Sequence, residues 1–183
     1  MKSLLYFLPL LLLVTVITFS RQMPDTSEPD EVAYTKLTYV EMRQKLKELA
    51  LLYPEVMQLS NSKELFGIEH EVECEDKNRC VLDIVTLTDI QSKSEDKTQV
   101  YISGALHGNE RLGPHASYYL IEFLVSNYGR DPEITNLLKR REIVITPMTN
   151  APGFHYKMRE EKMAGSGLNF ASSVDINRDF PYN

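Results

Sequence analysis

The chain has 183 residues and a formal net charge of −6, spread without long blocks of one sign. That balance excludes nucleic acid as the main partner, because phosphate recognition needs a basic footprint. The composition is ordinary for a globular protein, and no internal repeat or low-complexity tract is present.

The first element reads as a targeting segment. Lys2 gives a positive start, and Leu4 to Phe19 is apolar apart from hydroxyl residues and Pro9. This run of about 16 residues is short of the roughly 20 that cross a bilayer. It predicts a signal peptide over residues 1–20, with no stable membrane span, and a secreted or secretory-pathway location. Residues 21–35 are polar, contain Pro24 and Pro29, and read as a flexible lead-in. A single domain is expected over 36–183.

Thr38-Tyr-Val-Glu41 has capping-box form and opens a helix. Tyr39, Met42, Leu46, Leu49, Ala50 and Tyr53 follow at helical spacing, and Pro54 ends it. Val56–Leu59, His70–Cys74 and Val81–Leu87 are strand candidates, the last two suggesting an antiparallel hairpin. Cys74 and Cys80 flank a polar turn. An even cysteine count in a secreted chain suggests a disulfide. Two free thiols are the plainer alternative, and no histidine pair makes the cysteines a zinc finger.

Val100–Gly104 is short and apolar, as expected of a buried central strand. Gly113-Pro114 opens a helix to about Tyr128, with Ala116, Tyr119, Leu120, Phe123 and Leu124 as its buried stripe. Asp131-Pro-Glu133 starts another, with Ile134, Leu137 and Leu138 inward and Lys139-Arg-Arg141 at its end. Ile143–Thr146 is a second buried strand. A charged loop follows from Tyr156 to about Phe170. The alternation after residue 98 predicts an α/β fold with a mixed central sheet and flanking helices.

Three clusters could carry chemistry. His107 and Glu110 are three residues apart beyond an apolar strand, where ligands collect in α/β sheets. Imidazole nitrogen and carboxylate oxygen are ordinary zinc ligands, and Gly104 and Gly108 allow tight backbone there. Alone, the pair equally describes a surface histidine and a helix-start glutamate. Asn177 and Arg178 could clamp a carboxylate, the guanidinium acting as a fork. The same arginine could instead pair with Asp175 or Asp179. Asn150-Ala-Pro-Gly-Phe154 is a turn after a strand.

In order, strand-His-Gly-Asn-Glu-helix, Thr146-Pro-Met-Thr-Asn-Ala-Pro-Gly-Phe154, Met158-Arg-Glu-Glu161 and Val174-Asp-Ile-Asn-Arg-Asp-Phe-Pro181 resemble the zinc metallocarboxypeptidases of the carboxypeptidase A family. The resemblance covers roughly residues 38–183 and the amino-terminal part of the family's catalytic domain, so the fold is expected to be incomplete. It implies zinc (Zn2+) as cofactor, His107 and Glu110 as two of its ligands, and Asn177 and Arg178 as the clamp on a substrate's terminal carboxylate. It implies Arg159 as the group that stabilises the oxyanion, although many members place that arginine nearer the Val-Asp block. Asn150 and Gly153 match a loop usually written Asn-Pro-Asp-Gly, from which Ala151-Pro152 departs.

The implied partners are peptide or protein C-termini, and the implied reaction releases their last residue. In such a reaction zinc acidifies its water and polarises the scissile carbonyl, and a carboxylate moves the proton. The family's third ligand, a histidine, and its glutamate base fall in regions absent here. His155, His70 and His115 are local stand-ins to be weighed, as are Glu160 and Glu161 for the base. The chain is therefore expected to be a truncated form, inactive alone. The alternatives are a non-catalytic secreted binder of peptide C-termini and a zinc amidohydrolase or deacylase.

Overall fold

The computed structural model describes residues 34–75, 77–92, 97–162, 173–178 and 180–181. The expected signal peptide and most of the lead-in lie outside the described residues, as do Asp179 and residues 163–170 of the expected loop. In chain order the strands are β1 (Met57–Asn61), β2 (Glu73–Glu75), β3 (Asn78–Arg79), β4 (Asp83–Leu87), β5 (Thr98–Ser103), β6 (Arg141–Thr146), β7 (Glu161–Lys162) and β8 (Ser173–Val174). The helices are α1 (Tyr39–Leu52), α2 (Ser62–Phe66), α3 (Leu112–Asn127), α4 (Pro132–Arg140) and α5 (Ala151–Tyr156), with a 3-10 turn at Ile176–Arg178.

α1 starts where the capping pattern places it. The Glu41 amide donates to the Thr38 hydroxyl at 3.2 Å, and the Thr38 amide to the Glu41 carboxylate at 2.8 Å. Two amides that a helix start leaves without partners are thus satisfied together. Tyr39, Met42, Leu46 and Leu49 form the buried stripe. α4 begins at Pro132 with the Asp131 carboxylate accepting from the Glu133 and Ile134 amides. Leu138 is fully buried and Ile134 packs on the core, whereas Leu137 is exposed rather than inward.

The main sheet has the order β1-β4-β6-β5. β4 runs antiparallel to both β1 and β6, and β5 is parallel to β6. The mixed α/β sheet expected from the sequence is what forms. α1 packs on β1 and α3, α3 on β5 and α4, and α4 on β6. Because β5 and β6 are parallel, their ends at Ser103 and Thr146 lie side by side. The segments that follow each strand, one carrying His107 and the other Asn150, therefore start from one sheet edge.

Three expectations need correcting, and one short helix is additional. β5 is an edge strand among the described residues, not a central one: Val100 is 41% and Tyr101 62% exposed. An apolar run reads alike at either position, because a strand's own residues do not set its neighbours in the sheet. The buried face of α3 is Pro114, Ser117, Tyr118, Ile121, Leu124 and Val125, whereas Phe123 and Ala116 are exposed. Tyr118 to Val125 is apolar almost all round, so periodicity did not fix the face. The hairpin at the cysteines joins β2 to β3, while β4 pairs in the main sheet instead. Finally, Ser62–Phe66 forms α2, capped by the Asn61 side chain and closed by Gly67 at φ 69°.

Cys74 and Cys80 are bonded, with Cα atoms 4.9 Å apart. The hairpin that they close touches α5, and Tyr156 donates to the Glu73 carbonyl at 2.7 Å. The end of the lead-in lies along α3. Arg111 donates to the Leu37 carbonyl, His115 accepts the Leu37 amide, and the Tyr119 hydroxyl bonds both the amide and the carbonyl of Thr35. Arg111 directly precedes α3, and His115 and Tyr119 follow at one-turn spacing, so the three form a single row.

Candidate active site

The turn after β5 is shaped by backbone contact. Ala105 sits at φ 50°, in the left-handed region that non-glycine residues seldom adopt. A Cβ on Gly108 would come within 2.0 Å of the Gly153 carbonyl carbon, so only glycine fits against α5 there. His107 follows from this geometry: it is 7% exposed, with both ring nitrogens occupied.

His107 Nδ1 is 2.8 Å from Glu110 Oε1, and Nε2 is 3.2 Å from Asp175 Oδ1. The Arg159 guanidinium reaches the same two carboxylates, Glu110 and Asp175, at 3.5 Å each. One imidazole, one guanidinium and two carboxylates thus form a closed ring of contacts. Burial works to raise the Asp175 pKa, but the Asn177 amide, the His107 hydrogen bond and the charges of His107 and Arg159 outweigh it. The carboxyl is held below the usual range.

The structure therefore brings His107, Glu110 and Arg159 together, as the sequence motifs place them. It adds Asp175, which sequence reasoning had offered only as a partner for Arg178. The signal that could have found it is its place two residues before Asn177. Asn177 and Arg178 lie in the 3-10 turn directly after Asp175. The Asn177 amide donates to Asp175 Oδ1 at 3.0 Å, and Arg178 Nη1 donates to the Asn177 carbonyl at 3.1 Å. Asp175 thus links the first cluster to the second.

The remaining histidines are engaged elsewhere. His70 Nδ1 meets Glu161 at 2.6 Å. His115 lies between the Leu37 amide and the Arg111 carbonyl. His155 packs edge-on against the Tyr39 and Tyr156 rings, and burial lowers its pKa. Among the described residues no group of three His, Cys, Asp or Glu side chains could hold a metal ion. His107 and Glu110 are chemically apt zinc donors, but a catalytic zinc takes three protein ligands. The described donor set does not complete one, and the stand-ins weighed from sequence do not supply the third.

With this geometry in view, the chain matches the zinc carboxypeptidase family over residues 42–183 and belongs to that family. It is 36% identical over 78 residues to carboxypeptidase D of Mus musculus, a match covering 43% of this chain and 6% of that protein. Carboxypeptidase M of Mus musculus is 37% identical over 76 residues, covering 42% of this chain and 17% of that protein. Among solved structures, thrombin activatable fibrinolysis inhibitor superposes with a TM-score of 0.64 at 20% identity, over 85% of this chain and 38% of that one. The likeness to that structure is one of fold. The chain spans well under two thirds of the length of these relatives.

Proposed function

We propose that this chain carries part of the active site of a secreted, zinc-dependent metallocarboxypeptidase acting on peptide C-termini. The observation that supports this most is the setting of His107: the Glu110 carboxylate at one ring nitrogen and the Asp175 carboxylate at the other. Metal-ligating histidines usually have their free N–H fixed by such a group. In this reading His107 and Glu110 are two zinc ligands, and Asp175 orients the imidazole. Arg159 faces the forming oxyanion, where a fixed cation stabilises negative charge. Asn177 and Arg178 hold the substrate's terminal carboxylate, which restricts action to free C-termini. Zinc, when bound, acidifies a water and polarises the scissile carbonyl. With two ligands among the described residues, the chain alone is expected to bind zinc weakly and to release no amino acids.

The test is a zinc titration of the full chain beside His107→Ala and Glu110→Gln. Weak binding that each substitution abolishes supports the reading. Zinc binding indifferent to both sinks it, and stoichiometric tight binding with release of C-terminal residues would refute the inactivity of the isolated chain.

A further inference from the structure

We infer that Asn150 is a positioning residue that fixes Arg159 relative to the His107–Glu110 turn. The inference rests on the reading of Arg159 given above, but the geometry stands by itself. Asn150 is fully buried, although its side chain is an amide. Buried polar side chains persist where their hydrogen bonds are made. Here Oδ1 accepts from the Gly153 amide at 2.8 Å, while Nδ2 faces two carbonyls, Arg159 at 3.3 Å and Leu106 at 3.5 Å. The reverse orientation of the amide would set donor against donor at Gly153, so the network defines which atom is which.

The two Nδ2 bonds do different work from the Oδ1 bond. The latter caps α5, a task that serine or aspartate does equally well. The former tie a neighbour of His107 to the backbone of Arg159. The Arg159 carbonyl also accepts from the Gly108 amide at 3.0 Å, so it has one donor from each side. The Asn150 amide in turn donates to the Ala105 carbonyl at 2.9 Å. The backbone of Arg159 is thus pinned to the turn that holds His107, whereas among the described residues its half-exposed guanidinium is held by the 3.5 Å contacts. The main chain sets the place of the charge and leaves its tip able to follow a substrate. Asn150→Asp keeps the cap but points a carboxylate at two carbonyl oxygens; Asn150→Ser keeps the cap and merely withdraws the donors.

The experiment is amide exchange and NMR on the metal-free full chain with Asn150→Ser. Gly108 exchange should quicken by roughly tenfold, the scale of one net hydrogen bond. The Arg159 Nε–H resonance should move, while Val85 and Ile145 keep their protection. Unchanged exchange at Gly108 overturns the inference. So does an equal loss at Val85 and Ile145, since that marks a general role in folding. If Asn150→Ser does not fold, the unmodified chain decides by through-bond coupling from Gly108 N and Asn150 Nδ2 to the Arg159 carbonyl carbon. Both couplings support the inference, and absence of the second overturns it. Because no metal is present, a failed zinc titration would sink the peptidase reading without touching this result.

Discussion

β4 and β5 flank the same central strand, β6, yet their surroundings differ completely. In β4, Val85 and Leu87 are fully buried, with β1 beyond the strand on its far side. β5 has no neighbour beyond it among the described residues, and Thr98 to Tyr101 are exposed. Val100-Tyr-Ile102 is as apolar as Ile84-Val85. Burial here is set by position in the sheet, not by composition. The turn that carries His107 nonetheless grows from β5, the less covered of the two. It is supported by Thr146 at the end of β6, which accepts from the Gly104 amide, by α5 against Gly108, and by the Arg159 carbonyl.

The sharpest way to break this contrast is substitution in both strands. Leu87→Ala should cost about 3 kcal/mol, the usual scale for emptying a closed core site, read as a lower denaturant midpoint. The end of β4 should also respond to pH. Burial works to raise the Asp89 pKa, but hydrogen bonds from Tyr128, Gln91 and Ser92 and the Lys97 charge outweigh it, so the carboxyl is held below its usual range. A lowered carboxyl pKa stabilises the fold above about pH 4, and that contribution is lost as pH falls through the folded value. Burial and the hydrogen bond to Asp89 push the Tyr128 phenol up to about 12. There the sign reverses: the fold loses stability as pH climbs from about 10 toward about 12. Tyr128→Phe should cost about 1 kcal/mol at neutral pH and flatten the alkaline loss in melts at several pH values. The smallest effect is expected on the other strand. Val100→Thr should stay within about 0.5 kcal/mol in the same denaturation assay. A loss near that of Leu87→Ala would show that β5 is covered after all.

What the sequence revealed was local. Thr38 with Glu41, and Asp131 before Pro132, mark helix starts because the groups that bond lie two or three residues apart. The faces of α3 and β5 were misread because each run is apolar on more than one side. Asp175 escaped notice as a partner of His107 since the two are 68 positions apart and meet only in the folded chain. Asn150 looked like a turn residue for the same reason: its cap to Gly153 is local, but its bond to Arg159 depends on how α5 lies against Gly108. His107, Glu110 and Arg159 were legible from motif order, whereas Asp175 and the mutual bonding were not.

The row of Arg111, His115 and Tyr119 grips peptide groups of Thr35 and Leu37. Recognition of that kind does not read residue identity. In a saturation library, Lys36 should therefore accept most replacements, with Leu37 restricted by its buried side chain. Proline at 35 or 37 should be the sharp exception, because it lacks the N–H that each position donates. At Lys36 the strip beside α3 can thus change its side chain while its docking stays the same.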